Sequence, residues 1–221
     1  MTVADPTLEV ERALFRDGAT LVIGCDEVGR GAIAGPVAVG LGVFLPDVDG
    51  MPQGLRDSKL LSEAKREALQ PVVADWVPNW AVGLADNAEV DRIGIVPGLG
   101  LAATRGLEAL VIAGVPVESA ILVLDGSHDW LTPALAEWPE SSRPRIITRV
   151  KADRDCATVA AASVLAKVHR DRLMIEADAV HPGYDWVSNK GYASASHYAA
   201  IESLGSCALH RWSWLKQPAL F

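Results

Sequence analysis

Carboxylates recur at the ends of apolar runs in this chain. Residues 21–23 lead to the adjacent acids Asp26 and Glu27. Residues 121–124 end on Asp125, and residues 145–150 run through Lys151 to Asp153. Singly, each acid has a plain account: an Asp-Glu pair or an Asp-Gly step after a strand is ordinarily a solvated turn. Three such ends in one chain form a pattern. A carboxylate in an apolar setting is costly unless a cation, a metal or a substrate group answers it. Four oxygen-rich side chains suit Mg²⁺ or Mn²⁺, which take hard ligands and keep several waters. Two such ions can clamp the attacking and leaving oxygens of a phosphodiester. Arg30, Lys59 and Lys151 lie close to the acids in sequence.

Gly29-Arg30-Gly31 follows the first acid pair. Its glycines permit positive φ and close approach of backbone to a ligand. With Ala34 they imitate a dinucleotide-binding fingerprint, which has to open a helix. Here Pro36 and the strand-like VAVGLGVFL follow instead, so the two runs read as antiparallel neighbours. Ser58 and Lys59 stand just before a helix capped by Ser62, a favourable place for a phosphate. Tyr184, Trp186, Tyr192, His197 and Tyr198 interleave with Lys190. They can stack on bases or sugars, or most of them can form a small satellite core. Cys25, Cys156 and Cys207 lack zinc-like spacing, and no Gly-x-Ser-x-Gly elbow is present. His128, His169 and His210 read as structural or surface residues. Cys25 precedes Asp26 and Cys156 follows Asp153. Approach of their thiols would let oxidation close the site, against the plainer reading of two buried thiols.

The elements that must carry these groups alternate between strand and helix. Strands are predicted at 20–26, 36–45, 77–85, 121–124 and 145–150. Helical spacing marks residues 8–15, the stretch after Ser62, a short piece from Asn87, residues 101–114, the alanine-rich 157–180 and a short helix from Ser194. Gly94, Pro97, Gly98 and Gly100 are expected to interrupt the chain before 101. Residues 127–144 and the end, HRWSWLKQPALF, carry no pattern. QPALF reads as a disordered end, with a clamp-binding peptide as the alternative. The cluster Lys167, Arg170, Asp171 and Arg172 fits a solvated helix face with local ion pairs.

The net charge of −8 and a pI near 5.1 argue against a generally sticky nucleic-acid binder, while allowing a local basic groove. Half of the 221 residues are hydrophobic, ample for a core. Three cysteines without framework spacing point to a reduced, cytoplasmic setting. No export signal and no uninterrupted apolar run of membrane-spanning length is read.

DEVGRG (26–31), DSKLLS (57–62), LDG (124–126), KAD (151–153), AAASVLAKVHRDR (160–172) and NKGY (189–192) together resemble bacterial ribonuclease HII, in order and spacing, from about residue 20 to 200. The resemblance implies an α/β, ribonuclease H-like fold. That is a mixed five-stranded sheet flanked by helices over 1–180, with a C-terminal helical extension over 181–221 lining the substrate groove. It implies cleavage of RNA in RNA/DNA hybrids, and incision 5′ to ribonucleotides embedded in duplex DNA. The enzyme would act as a monomer, with 5′-phosphate and 3′-hydroxyl products. By position, Asp26, Glu27, Asp125 and Asp153 match the family's metal-binding acids. Gly29, Arg30 and Gly31 match its sensor of the 2′-hydroxyl, and Tyr192 its sugar-packing tyrosine. Ser58, Lys59, Ser163, Lys167 and Arg170 fall in blocks expected to touch substrate. Two rivals stand beside this: a non-catalytic junction sensor and a dinucleotide-dependent enzyme.

Overall fold

The computed structural model describes residues 5–215. Leu21–Val28 forms β1 and Val37–Phe44 forms β2, paired antiparallel with Asp26 opposite Gly40. The glycine segment therefore joins two strands and opens no helix, which removes the dinucleotide reading. Asn79–Ala85 (β3) adds antiparallel to β2. Ala120–Asp125 (β4) lies parallel to β1, and Arg145–Arg149 (β5) parallel to β4. The result is a mixed five-stranded sheet of order β3-β2-β1-β4-β5.

The helices are α1 (Glu9–Arg16), α2 (Glu63–Trp76), α3 (Asn87–Ile93), α4 (Ile95–Ile112), α5 (Leu131–Ala134), α6 (Ala152–Asp155), α7 (Ala157–Val180), α8 (Trp186–Asn189) and α9 (Ala195–Leu204). Strand side chains alternate between faces. Leu21, Ile23 and Cys25 join Leu41, Leu99, Leu107 and Leu122 in the core under α4. Val22 instead meets Val123, Cys156 and Val159 under α7. Cys25 and Cys156 thus sit on opposite sides of the sheet, both buried and free. This is the plainer reading of two buried thiols, and the pleat keeps their sulfurs from the approach that oxidation would need.

The alanine side of α7 presses directly on the strands. A Cβ at Gly40 would lie 2.3 Å from the Ala162 carbonyl oxygen, so only glycine admits the helix there. Where an interruption was expected, α4 runs straight through Pro97, Gly98 and Gly100. Proline is tolerated in a first turn, where the backbone N–H has no helical partner. Burial of Leu99, Ala102, Ala103, Leu107 and Leu110 outweighs the poor propensity. By length and composition α4 would pass for a membrane span, yet these residues pack it into the core.

Two attachments escape the sequence patterns. Glu11 of α1 is fully buried, and its Oε1 accepts bonds from the Thr158 N–H and hydroxyl, both 2.8 Å, in the first turn of α7. Asp129 accepts from the Leu131 and Thr132 N–H groups and so starts α5. That turn sends Trp130, Leu131 and Leu135 into the α4 core and gives the unpatterned 127–144 segment its role. Beyond α7, Tyr184 and Trp186 pack with Ala34 and Met174 as the satellite core the aromatics suggested. Asn87 of α3 donates to the carbonyls of Ala208 and His210, and Asp91 accepts from the Trp212 and Ser213 N–H groups. These bonds fasten residues 208–213 to the sheet domain. QPALF lies outside the described residues.

Candidate active site

Parallel pairing sets Cys25 beside Leu124, so Asp26 and Asp125 come next at the same edge of the sheet. β5 then turns through Lys151, held at φ 62°, into α6. This brings the Ala152 N–H to 2.7 Å from Asp125 Oδ1, with the Asp153 N–H at 3.5 Å. Ser58–Leu60 forms a 3₁₀ turn from which Lys59 reaches back, its Nζ 3.3 Å from Asp153 Oδ2. Three strand ends and one turn therefore bring Asp26, Asp125, Asp153 and Lys59 into one neighbourhood. Glu27 departs from this set. Adjacent strand residues face opposite ways, so the two acids do not lie side by side. Asp26 is buried beside Ser163 of α7, whereas Glu27 is part-exposed and pairs with Arg30 at 3.3 Å.

Asp26 dominates the electrostatics. Neither of its carboxylate oxygens has a hydrogen-bond partner among the described residues, and the side chain is out of water. The neighbouring Ser163 hydroxyl lies 2.8 Å from Ser58 Oγ, and either of the two can donate. Burial pushes the Asp26 pKa up to about 8; Lys59 and the nearby Ser163 hydroxyl oppose the rise, and Glu27 and Asp125 add to it. Asp125 is raised as well, by burial and by Asp153, against the two backbone bonds it accepts. Burial disfavours the Lys59 ammonium, but Asp26, Asp57 and Asp153 outweigh it and raise its pKa.

Such a site fits a hard divalent cation. Its donors are all carboxylate oxygens, and neither oxygen of the buried Asp26 has a hydrogen-bond partner among the described residues. Among the described residues no three acids, histidines or cysteines close on one point, so this is no finished cage. Mg²⁺ does not require one, because it commonly takes one or two carboxylates and completes its shell with water and phosphate oxygens.

Gly29-Arg30-Gly31 leaves β1 next to these acids. Gly29 has φ +84°, and its N–H donates to the Tyr192 hydroxyl at 3.1 Å. The Tyr192 ring is flanked by Lys167 at 5.5 Å and Arg170 at 5.3 Å. Arg30 and Gly31 are exposed. So is Lys59, with 61% of its side chain accessible.

Other expected substrate contacts lie elsewhere. Arg170 donates to the carbonyls of Pro36, Lys190 and Ala34 and is fully buried, so it presents no donor at the surface for a phosphate. Ser58 and Ser163 are buried against each other behind Asp26, out of reach of substrate in this conformation. Lys167 is mostly buried and bonded to Asp171 at 2.6 Å, and Arg66 approaches the same acid at 3.5 Å. The solvated face expected for this cluster holds only for Arg172, exposed and paired with Glu67. Among the histidines, His210 is buried while His128 and His169 are exposed. An apolar groove lined by Leu101, Trp130 and Trp138 lies on the α4 side, apart from the acids.

Sequence reasoning missed Arg66, Arg211 and the buried pair His197–His210. No motif marks them: Arg66 meets Asp171 and Arg211 meets the Arg30 carbonyl far along the chain, and backbone carbonyls leave no pattern in a sequence.

The description "Ribonuclease HII" belongs to the family model that matches residues 23–217. A ribonuclease HII of Streptomyces griseus is 44% identical over all of this chain and 88% of its own length. That of Thermus thermophilus is 42% identical over 91% of this chain and 89% of its own. Among solved structures, a PCNA:RNase HII complex from Archaeoglobus fulgidus matches with TM-score 0.65 and 26% identity, over 90% of this chain and 98% of the other. Bst-RNase HIII in complex with Mn²⁺ shares the fold, with TM-score 0.69 and 24% identity over 87% of this chain and 65% of the other. Convergent strand-end acids, the glycine segment beside them and these similarities agree: the chain belongs to the ribonuclease HII family and is an enzyme of the ribonuclease H class.

Proposed function

We propose that the chain is a divalent-metal-dependent endonuclease that cleaves the RNA strand of RNA/DNA hybrids. It also incises 5′ to ribonucleotides embedded in duplex DNA, leaving 5′-phosphate and 3′-hydroxyl ends. The observation that carries this reading is the buried Asp26 carboxylate, its oxygens without a hydrogen-bond partner among the described residues, flanked by Asp125 on the neighbouring strand. Asp26, Asp125 and Asp153 would hold Mg²⁺ or Mn²⁺, with Glu27 at the rim. When bound, such ions supply positive charge that polarises a phosphoryl oxygen and makes water a stronger nucleophile at neutral pH.

The protein's own groups position the substrate. Arg30 and Lys59 present exposed cations on either side of the acids for backbone phosphates. Distinguishing RNA from DNA at one site means reading a 2′-hydroxyl. Backbone at Gly29 and Gly31 can approach a sugar more closely than side chains can, and Tyr192 backs that segment from behind. The reading requires no protein partner, and the three free cysteines support a reducing, cytoplasmic setting. The test is a duplex with one ribonucleotide beside an all-DNA control, in Mg²⁺, in Mn²⁺ and in chelator. Incision of the first alone, only with metal and on the 5′ side, is expected. Equal cutting of both, or undiminished cutting in chelator, rejects it.

A further inference from the structure

Two arginines without an acidic salt-bridge partner among the described residues are buried side by side behind the glycine segment: Arg170 from α7 and Arg211 from the C-terminal extension. Burying one guanidinium without a carboxylate is unfavourable, and two together more so. Both are compensated by main-chain carbonyls of the β1–β2 connection. Arg170 holds its base, at Ala34 and Pro36. Arg211 reaches the tip: Nη1 donates to the Arg30 carbonyl at 3.1 Å, and Nε and Nη2 both donate to Gly35, at 3.1 and 3.0 Å. The Arg211 N–H donates to Ile33 at 2.8 Å, and the ring of Trp214 lies 5.1 Å from the guanidinium.

The bond to Arg30 has a geometric consequence. In a trans peptide the C=O and the following N–H point in opposite directions. Drawing the Arg30 carbonyl inward therefore turns the Gly31 N–H outward. Gly31 is exposed, and its N–H has no acceptor among the described residues. The neighbouring Gly29 N–H is already taken by Tyr192. The Arg30 N–H is also without an acceptor among the described residues, but Gly31 is the donor whose peptide is aimed by a side chain that touches no solvent.

We infer that Arg211 is a positioning residue for substrate recognition, fixing the Arg30–Gly31 peptide so that its N–H meets an oxygen of the substrate. This rests on the endonuclease reading above. Lysine keeps the charge but lacks the rigid planar fork that spans the Arg30 and Gly35 carbonyls. For Arg211→Lys on the single-ribonucleotide duplex, kcat is expected to fall about tenfold or more, as small misplacements do. KM and the salt dependence of duplex binding should hold, because a buried guanidinium contacts no phosphate. A folded variant with wild-type kcat overturns the inference. So does a raised KM with a shallower salt dependence, which marks a direct phosphate contact. Should circular dichroism show the variant unfolded, Asp91→Asn decides, since Asp91 anchors the 212–213 backbone beside Arg211. A lower kcat at unchanged KM supports the inference, and unchanged kcat overturns it. A wild type inert on this duplex overturns the endonuclease reading and this inference with it, whereas a wild type and variant equally active overturn the inference alone.

Discussion

Asp26→Asn separates the electrostatic cost of the site from its chemistry. In the metal-free protein burial lifts the Asp26 pKa from 3.8 to about 8. A carboxyl raised on folding favours the native state in acid, and that contribution is lost as pH rises from about 4 through about 8. At pH 7 the unfolded chain gains about three pH units of ionisation that the folded site resists. At 1.36 kcal/mol per unit this is on the order of 4 kcal/mol of destabilisation. Asparagine does not ionise, but its amide meets the same lack of partners, a penalty of about 1–3 kcal/mol. The variant should therefore exceed the metal-free wild type by about 1–3 kcal/mol at pH 7 and lose that advantage by pH 4. Urea unfolding in chelator at both pH values measures this. Incision by the variant should drop at least about a thousandfold, equivalent to about 4 kcal/mol of barrier. A stability difference flat with pH, or full activity in Mg²⁺, refutes the reasoning.

Divalent metal should reverse the wild-type deficit. At a concentration of a hundred times Kd it adds about 2.7 kcal/mol to native stability, whereas a melting midpoint that rises as much in Asp26→Asn places the ion elsewhere. The buried histidines predict an acid limit of opposite sign. His197 Nδ1 donates to the Tyr192 carbonyl, so its Nε2 accepts from Trp186 Nε1 and His210 Nε2, and His210 Nδ1 accepts from the Cys207 N–H; both rings are neutral. Burial, helped by His197, pushes His210 down to about 4, so the unfolded chain takes the proton first and stability falls as pH drops from about 6.5 to 4. If His210→Gln loses as much stability as wild type across that window, the pair is not the cause. Glu11→Ala removes the anchor at the start of α7 and should cost about 1–2 kcal/mol in urea unfolding, and an unchanged midpoint counts against that anchor. Gly29→Ala sets a Cβ 2.0 Å from Arg170 Nε at φ +84°. It should cost about 1–3 kcal/mol and lower incision; wild-type values for both would mean the segment relaxes freely.

The sequence by itself determined the alternation of strands and helices, because local periodicity reports which face of an element is buried. It also determined that Asp26, Asp125 and Asp153 lie at or near the ends of separate strands, and that Pro36 and the run after it exclude a helix at the glycine segment. The interruption expected at Pro97 was absent, since core burial of α4 outweighs propensity. Tertiary structure alone decided which neighbours each charge has. Pleat alternation parted Asp26 from Glu27 and put Cys25 and Cys156 on opposite faces. Packing at the crowded junction of α7, the β1–β2 connection and the extension turned Arg170 from an expected phosphate contact into a brace. The same packing recruited Arg211 from 181 residues away. A carbonyl acceptor leaves no mark in a sequence, so a side chain that serves backbone is visible only once the chain has folded around it.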